Sequence, residues 1–194
     1  KYSNLMKYKW IDYVLPNTRV DYKLENTSEI NISVMSIDGD HKGKEQIDYL
    51  ISRFQNQDVI IKSNRFKINI LRIGREIPRY QDNIRDFVRH VKTYDMKGFL
   101  FLNKIGETWC YTLTKALSTG LPILYNNFGS FKERISKSEK KYIINNISEE
   151  EFYNFDMLTA NFMKLIEYIA TNDVYINKVD DTINKDFIDL LQDL

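Results

Sequence analysis

The stretch GFLFLNKIGETWCYTLTKALSTGLPILY, residues 98–125, decides the fold. Gly98 to Leu102 is an unbroken apolar run, as a strand buried on both faces of a parallel sheet requires. From Tyr111 to Thr119 the apolar positions Leu113, Ala116 and Leu117 recur at helical spacing. Gly120 then closes the helix, and Pro122 just beyond acts as a stop. Leu121 to Tyr125 returns as a strand, so this one stretch reads strand, helix, strand.

The same alternation extends outward in both directions. Upstream, Tyr13 to Leu15 enters a turn at Pro16-Asn17, and Ile30 to Ile37 alternates in period two before Asp38-Gly39. Lys44 to Phe54 carries Ile47, Leu50, Ile51 and Phe54 as the stripe of an amphipathic helix. Asp58 to Ile61 and Ile68 to Ile73 read as strands, and Asn83 to Val91 as a helix. Downstream, Ser130 to Ile135 reads as a short helix and Tyr142 to Ile144 as a strand. Apolar residues then keep helical spacing from Glu149 to Ala170, and Ile183 to Leu194 offers a last helix. The order predicts a doubly wound, mostly parallel α/β sheet with right-handed crossovers.

Composition narrows the function. The chain has 194 residues, enough for one domain with a real core and a helical appendage. With 28 basic and 27 acidic residues its net charge is only +1, so it lacks the positive field of a nucleic-acid binder. Cys110 is the single cysteine; it forms no internal disulfide and, with two histidines, gives no structural zinc pattern. That cysteine usage leads us to expect a reducing, cytoplasmic location; no apolar run approaches the roughly 20 residues that span a bilayer, and the N-terminal residues given show no signal-peptide h-region. The chain starts at Lys1, not at a methionine, as a piece of a longer protein would.

In doubly wound folds, ligands bind beyond the carboxyl ends of the strands. Two turns there carry chemistry: Asp38-Gly39-Asp40-His41-Lys42-Gly43, and the loop from Asn103 to Tyr111. No Gly-x-Gly-x-x-Gly follows a strand, which disfavours dinucleotide chemistry.

The run from Glu107 through Ala116-Leu117 and Gly120-Leu121-Pro122 to Asn127-Phe128-Gly129 and Ile135 resembles the C-terminal domain of GT-B glycosyltransferases, in the retaining family called group 1 or family 4. Pro16 to Asp21 is similar to the turn that opens this half in relatives, and His41-Lys42-Gly43 to their Lys-Gly turn. The resemblance covers residues 13–170. It implies a Rossmann-like donor domain over residues 1–170, with an N-terminal hinge segment, and a helical extension over 171–194. The acceptor-binding N-terminal domain would lie in the same longer chain.

The resemblance also implies an activity: metal-independent transfer, with retention, of a hexosyl group from a UDP- or GDP-sugar, without a further cofactor. The departing diphosphate then needs fixed dipoles and cations. Lys42 would supply the charge and Gly43 the turn. Thr108, Tyr111, Thr112 and Leu113 would present a helix N-terminus to the phosphates. Glu107 would lie against the donor sugar as the catalytic carboxylate, and Gly129 would let the backbone approach that sugar.

Two positions depart from the family pattern. Many relatives carry an Arg where this chain has Ile37, though some branches lack it, so the clamp is weaker unless Lys115, Arg75 or an absent domain compensates. Lys115 stands where the second motif Glu accepts both ribose hydroxyls. An ammonium has three donors and no acceptor, so losing those bonds would cost about 2 to 4 kcal/mol, roughly 30- to 1000-fold in affinity.

Blander roles compete at each position. A Lys-Gly turn is often only solvated, and Glu107 suits a helix N-terminus without any ligand. Trp109 and Tyr111 read as packing residues, Cys110 as a small buried hydrophobe, His41 as an exposed turn residue and Glu133 as structural. Two alternatives to an active transferase half therefore stand. One is a degenerate nucleotide-binding or assembly module of the same fold, and the other is a Rossmann-like module for another phosphorylated ligand.

Overall fold

Every residue of the strand Met96–Phe101 is buried, Lys97 included, and the apolar run expected over residues 98–102 forms most of it. The structure, a computed structural model, describes residues 20–23, 28–35, 39–81, 84–106, 110–129, 131 and 143–177. In chain order the described elements are β1 (Val20–Lys23), β2 (Glu29–Val34), α1 (Lys44–Phe54), β3 (Gln57–Ile61), β4 (Asn64–Arg72), α2 (Ile84–Thr93) and β5 (Met96–Phe101). Then follow α3 (Tyr111–Thr119), β6 (Ile123–Asn126), β7 (Ile143–Ile147), α4 (Glu149–Tyr153), α5 (Phe155–Thr171) and β8 (Tyr175–Asn177).

Six strands form one sheet in the order β3-β4-β2-β5-β6-β7. β4, β2, β5, β6 and β7 are mutually parallel, and β3 runs antiparallel at the edge. Alternating side chains put a separate core on each face. On one, Ile32, Val34, Ile68, Ile70, Leu100 and Leu124 meet Ile47, Leu50 and Phe54 of α1 and Phe162, Leu165 and Ile166 of α5. On the other, Phe99, Phe101, Ile123 and Tyr125 meet Phe87 and Val91 of α2 and Leu113 and Ala116 of α3. Each such fully buried side chain contributes about 1.5 to 3 kcal/mol. Gly98 lets α5 settle on β5, since a Cβ there would come within 3.1 Å of the Ile169 Cδ1.

The structure departs from strict strand-helix alternation at β3 and β4, which form a hairpin through Lys62 and Ser63. Both residues have positive φ, 47° and 68°, the backbone of a tight turn that matches strand twist. Neither is Gly, Asn or Asp, so the turn gave no compositional signal.

The helical stretch after residue 149 is two helices and not one. Ser148 caps α4 in a reciprocal capping box with Glu151, and Asn154 breaks the run while capping α5 through the amides of Asp156 and Met157. The Ser148 amide, the Asn161 side chain and the Ser148 hydroxyl hold the Glu151 carboxyl below its usual range.

Beyond α5 the chain turns into β8, which pairs antiparallel with β1, so residues 175–177 of the expected helical extension are strand. The expected elements at 13–15, 132–135 and 183–194 lie outside the described residues. No described helix is long and apolar enough to cross a membrane.

Candidate functional site

Because five strands are parallel, their carboxyl ends share one edge of the sheet, and the loops after them meet there. Asp40–Lys42 makes a single 3-10 turn, in which the Lys42 amide donates to the Gly39 carbonyl at 2.8 Å. Gly43 ends that turn in the left-handed region, φ 70°, and starts α1. It also lies against the end of β5: a Cβ at position 43 would stand 1.7 Å from the Leu102 carbonyl oxygen. Two separate demands, backbone sign and space, therefore fix glycine at this position.

The Lys42 turn is fastened to the loop after β5. The Lys104 amide donates to the His41 carbonyl at 2.8 Å, and the Lys104 ammonium pairs with Glu45 at 3.3 Å. Lys42 is half-buried, while His41 is exposed with its ring over Gly39.

The next tie joins β5 to β6. Asn126, fully buried, accepts from the Asn103 amide at 2.9 Å through Oδ1 and donates through Nδ2 to the Asn103 carbonyl. One side-chain amide thus satisfies both backbone groups of a buried residue where the sheet's own pairing has ended. A third contact brings the loop after β5 onto the loop after β6, for a Cβ on Gly106 would lie 2.8 Å from the backbone of Gly129. Gly129, expected beside the donor sugar, is itself in the left-handed region, φ 60°.

α3 starts from this loop. Cys110 is its N-cap, in extended backbone, with no side-chain capping bond, and the first turn holds no acidic residue. Among the described residues, no carboxylate in that first turn therefore offsets the helix dipole. Tyr111 is 67 % exposed, contrary to the packing role its ring suggested, and Thr112 is half-buried. The Leu113 side chain is wholly in the core, and its amide bonds to the Cys110 carbonyl at 3.1 Å, so that amide is already used within the turn. Cys110 is buried, as its reading as a small hydrophobe has it.

One turn into α3, the Lys115 ammonium lies 5.1 Å from the centre of the Tyr80 ring, within cation–π range. Tyr80 belongs to the loop after β4 and is braced by Phe87, at 5.0 Å edge-on, and by His90, at 5.7 Å. Arg72, at the end of β4, is engaged by Glu76 through a forked ion pair. Burial alone would raise the Glu76 pKa, but the Arg72 bonds hold it below the usual range.

The edge thus gathers Lys42, Gly43, Tyr111, Thr112, Leu113, Lys115 and Gly129 from three separate chain segments. Glu107, Thr108 and Trp109, together with Ile37 and Glu133, lie outside the described residues. Among the described residues no three His, Cys, Asp or Glu side chains converge as a metal site would need. Sequence reasoning singled out none of Asn103, Tyr80 or the paired role of Asn126. The only signal was an Asn at the end of each of two predicted strands, where a side-chain amide can replace a lost ladder bond.

Comparison of the sequence with protein-family models gives no match, and comparison with curated proteins gives none.

Proposed function

We propose that this chain is the nucleotide-sugar-binding, C-terminal half of a retaining glycosyltransferase of GT-B architecture, group 1 or family 4 type, with a doubly wound Rossmann-like sheet. One observation carries the reading: the turn bearing Lys42 is bonded directly, Lys104 amide to His41 carbonyl at 2.8 Å, to the loop that leads into the N-terminus of α3. A cation and a helix dipole at one carboxyl edge are what a diphosphate leaving group requires. The motif from Glu107 to Ile135 supports the same assignment.

In this reading Lys42, with the amides at Tyr111 and Thr112, stabilises the charge that develops on the diphosphate. Thr108 and the Gly43 turn complete the cradle. Glu107 lies against the donor sugar, where a carboxylate offsets the positive charge of an oxocarbenium-like transition state. Transfer is metal-independent and cytoplasmic, and an acceptor-binding N-terminal domain in the same longer protein closes over the UDP- or GDP-sugar.

A second reading rests on Lys115. Its ammonium occupies the position of the ribose-binding Glu and sits on Tyr80, which favours a degenerate nucleotide-binding module kept for assembly.

Calorimetric titration with UDP, GDP and their sugar conjugates tests both. Micromolar binding of one diphosphate, weakened by Lys42→Ala, supports the donor half. No binding by the wild type, with binding restored by Lys115→Glu, supports the degenerate module. No binding by either sinks both.

A further inference from the structure

The side-chain oxygen of Asn127 is buried and has no hydrogen-bond partner among the described residues. Such an acceptor costs about 1 to 3 kcal/mol unless something else satisfies it. Its surroundings are fixed: the Asn127 amide donates to the Ile147 carbonyl at 3.0 Å and carries the β6–β7 pairing one residue past the end of β6. The Phe128 amide folds back onto the Asn126 carbonyl at 2.9 Å, so the chain turns immediately afterwards.

Strand alternation gives the side of the sheet. Leu124 belongs to the core under α1 and α5, and Tyr125 to the core under α2 and α3. Two residues on from Tyr125, Asn127 falls on the α3 side. It therefore stands at the carboxyl edge, on the face whose helix begins at Tyr111, and two residues before Gly129, where the loop from β5 crosses. The buried amide just before it, Asn126, is turned to Asn103, accepting from its amide and donating to its carbonyl.

We propose that Asn127 is a specificity residue whose amide oxygen accepts a hydrogen bond from a hydroxyl group of the bound ligand. This rests on the donor-site reading given above, in which the hydroxyl belongs to the transferred sugar. An amide oxygen takes a hydroxyl donor and carries no charge, so it adds no repulsion beside a diphosphate. A neutral, hydroxyl-bearing sugar fits it, and a ligand offering only acceptors at that point leaves the cost unpaid.

The test compares sugar conjugates with bare diphosphates on the same 194-residue chain. UDP, GDP, UDP-glucose and GDP-mannose are titrated into the wild type, Asn127→Leu and Asn127→Ser, with thermal unfolding run on each. The expected result is about a tenfold loss of conjugate affinity in Asn127→Leu, the worth of one hydrogen bond. Bare-diphosphate affinity should stay within about twofold, and Asn127→Ser, which keeps an acceptor, should lose less. An equal fall for conjugate and bare diphosphate overturns the proposal and makes Asn127 a loop-shaping residue. Unchanged affinities with a raised unfolding temperature overturn it too, since the acceptor is then only a structural cost. If the wild type binds none of the four, the donor-site reading itself falls, a result distinct from both.

Discussion

Gly43 and Leu102 are in contact so close that no side chain fits between them: a Cβ on Gly43 would lie 1.7 Å from the Leu102 carbonyl oxygen. The pair locks the turn after β2 to the end of β5. Gly43→Ala forces the left-handed backbone to carry a Cβ, about 1 to 2 kcal/mol, and displaces one of the two segments besides. The expected loss is about 3 kcal/mol or more in urea unfolding. Lys42 moves with the turn, so nucleotide binding should weaken in the same variant. A loss under about 1 kcal/mol would show that the two segments part easily.

Asn126→Leu keeps the volume but orphans the amide and carbonyl of Asn103, both buried with it. Two unsatisfied groups at about 1 to 3 kcal/mol each predict a drop of roughly 2 to 6 kcal/mol. Chemical denaturation measures it. A near-neutral variant would mean that other groups satisfy Asn103.

Lys115→Met tests the contact with Tyr80. Stability should change by only about 0.5 to 1 kcal/mol, because a half-exposed cation–π pair is worth no more. Ligand effects should be larger: Lys115→Glu restores an acceptor pair and raises affinity for a ribose-bearing diphosphate by tenfold or more, on the order of one strong bond. Unchanged nucleotide affinity in both variants places Lys115 outside the site.

His90 sets an acid limit. Its Nε2 is buried between Tyr80 and Tyr94 with no partner among the described residues, and burial lowers its pKa below the ordinary value of about 6.5. The folded protein resists the proton that the unfolded chain accepts. Stability contributed by neutral His90 is therefore whole above about pH 6.5 and falls as pH drops from there toward the lower folded pKa. His90→Phe should flatten the stability profile across that window. Parallel profiles for the two proteins would contradict this.

Ser148→Ala removes one arm of the capping box that starts α4. About 1 kcal/mol of stability should go with it, measured by thermal unfolding. The Glu151 carboxyl should then titrate closer to its ordinary value, since the Ser148 bonds that depress it are disturbed.

How far each feature could be read from the sequence follows from how local its cause is. α1 and α3 have the bounds their apolar spacing gave, and Gly120 caps α3 at φ 71° as its position foretold. β5 was legible from its unbroken apolar run. The hairpin of β3 and β4 was not, because Lys62 and Ser63 adopt positive φ without the residues that advertise it. The break at Asn154 hid inside a continuous hydrophobic period, although the Ser148–Glu151 cap spacing was there to be seen.

By itself the sequence determined the α/β class and the order of most elements. Each of these depends on patterns a few residues long, where periodicity and caps act through neighbours along the chain. Only the tertiary structure decided that β3 reverses, that Gly43 meets Leu102, that Asn126 serves Asn103, that Lys115 rests on Tyr80 and that the Asn127 oxygen is left unpaired among the described residues. Those relationships join segments far apart in the chain. They arise when a parallel sheet brings the carboxyl ends of separate strands to one edge, where each buried polar group must find whatever partner packing has set beside it.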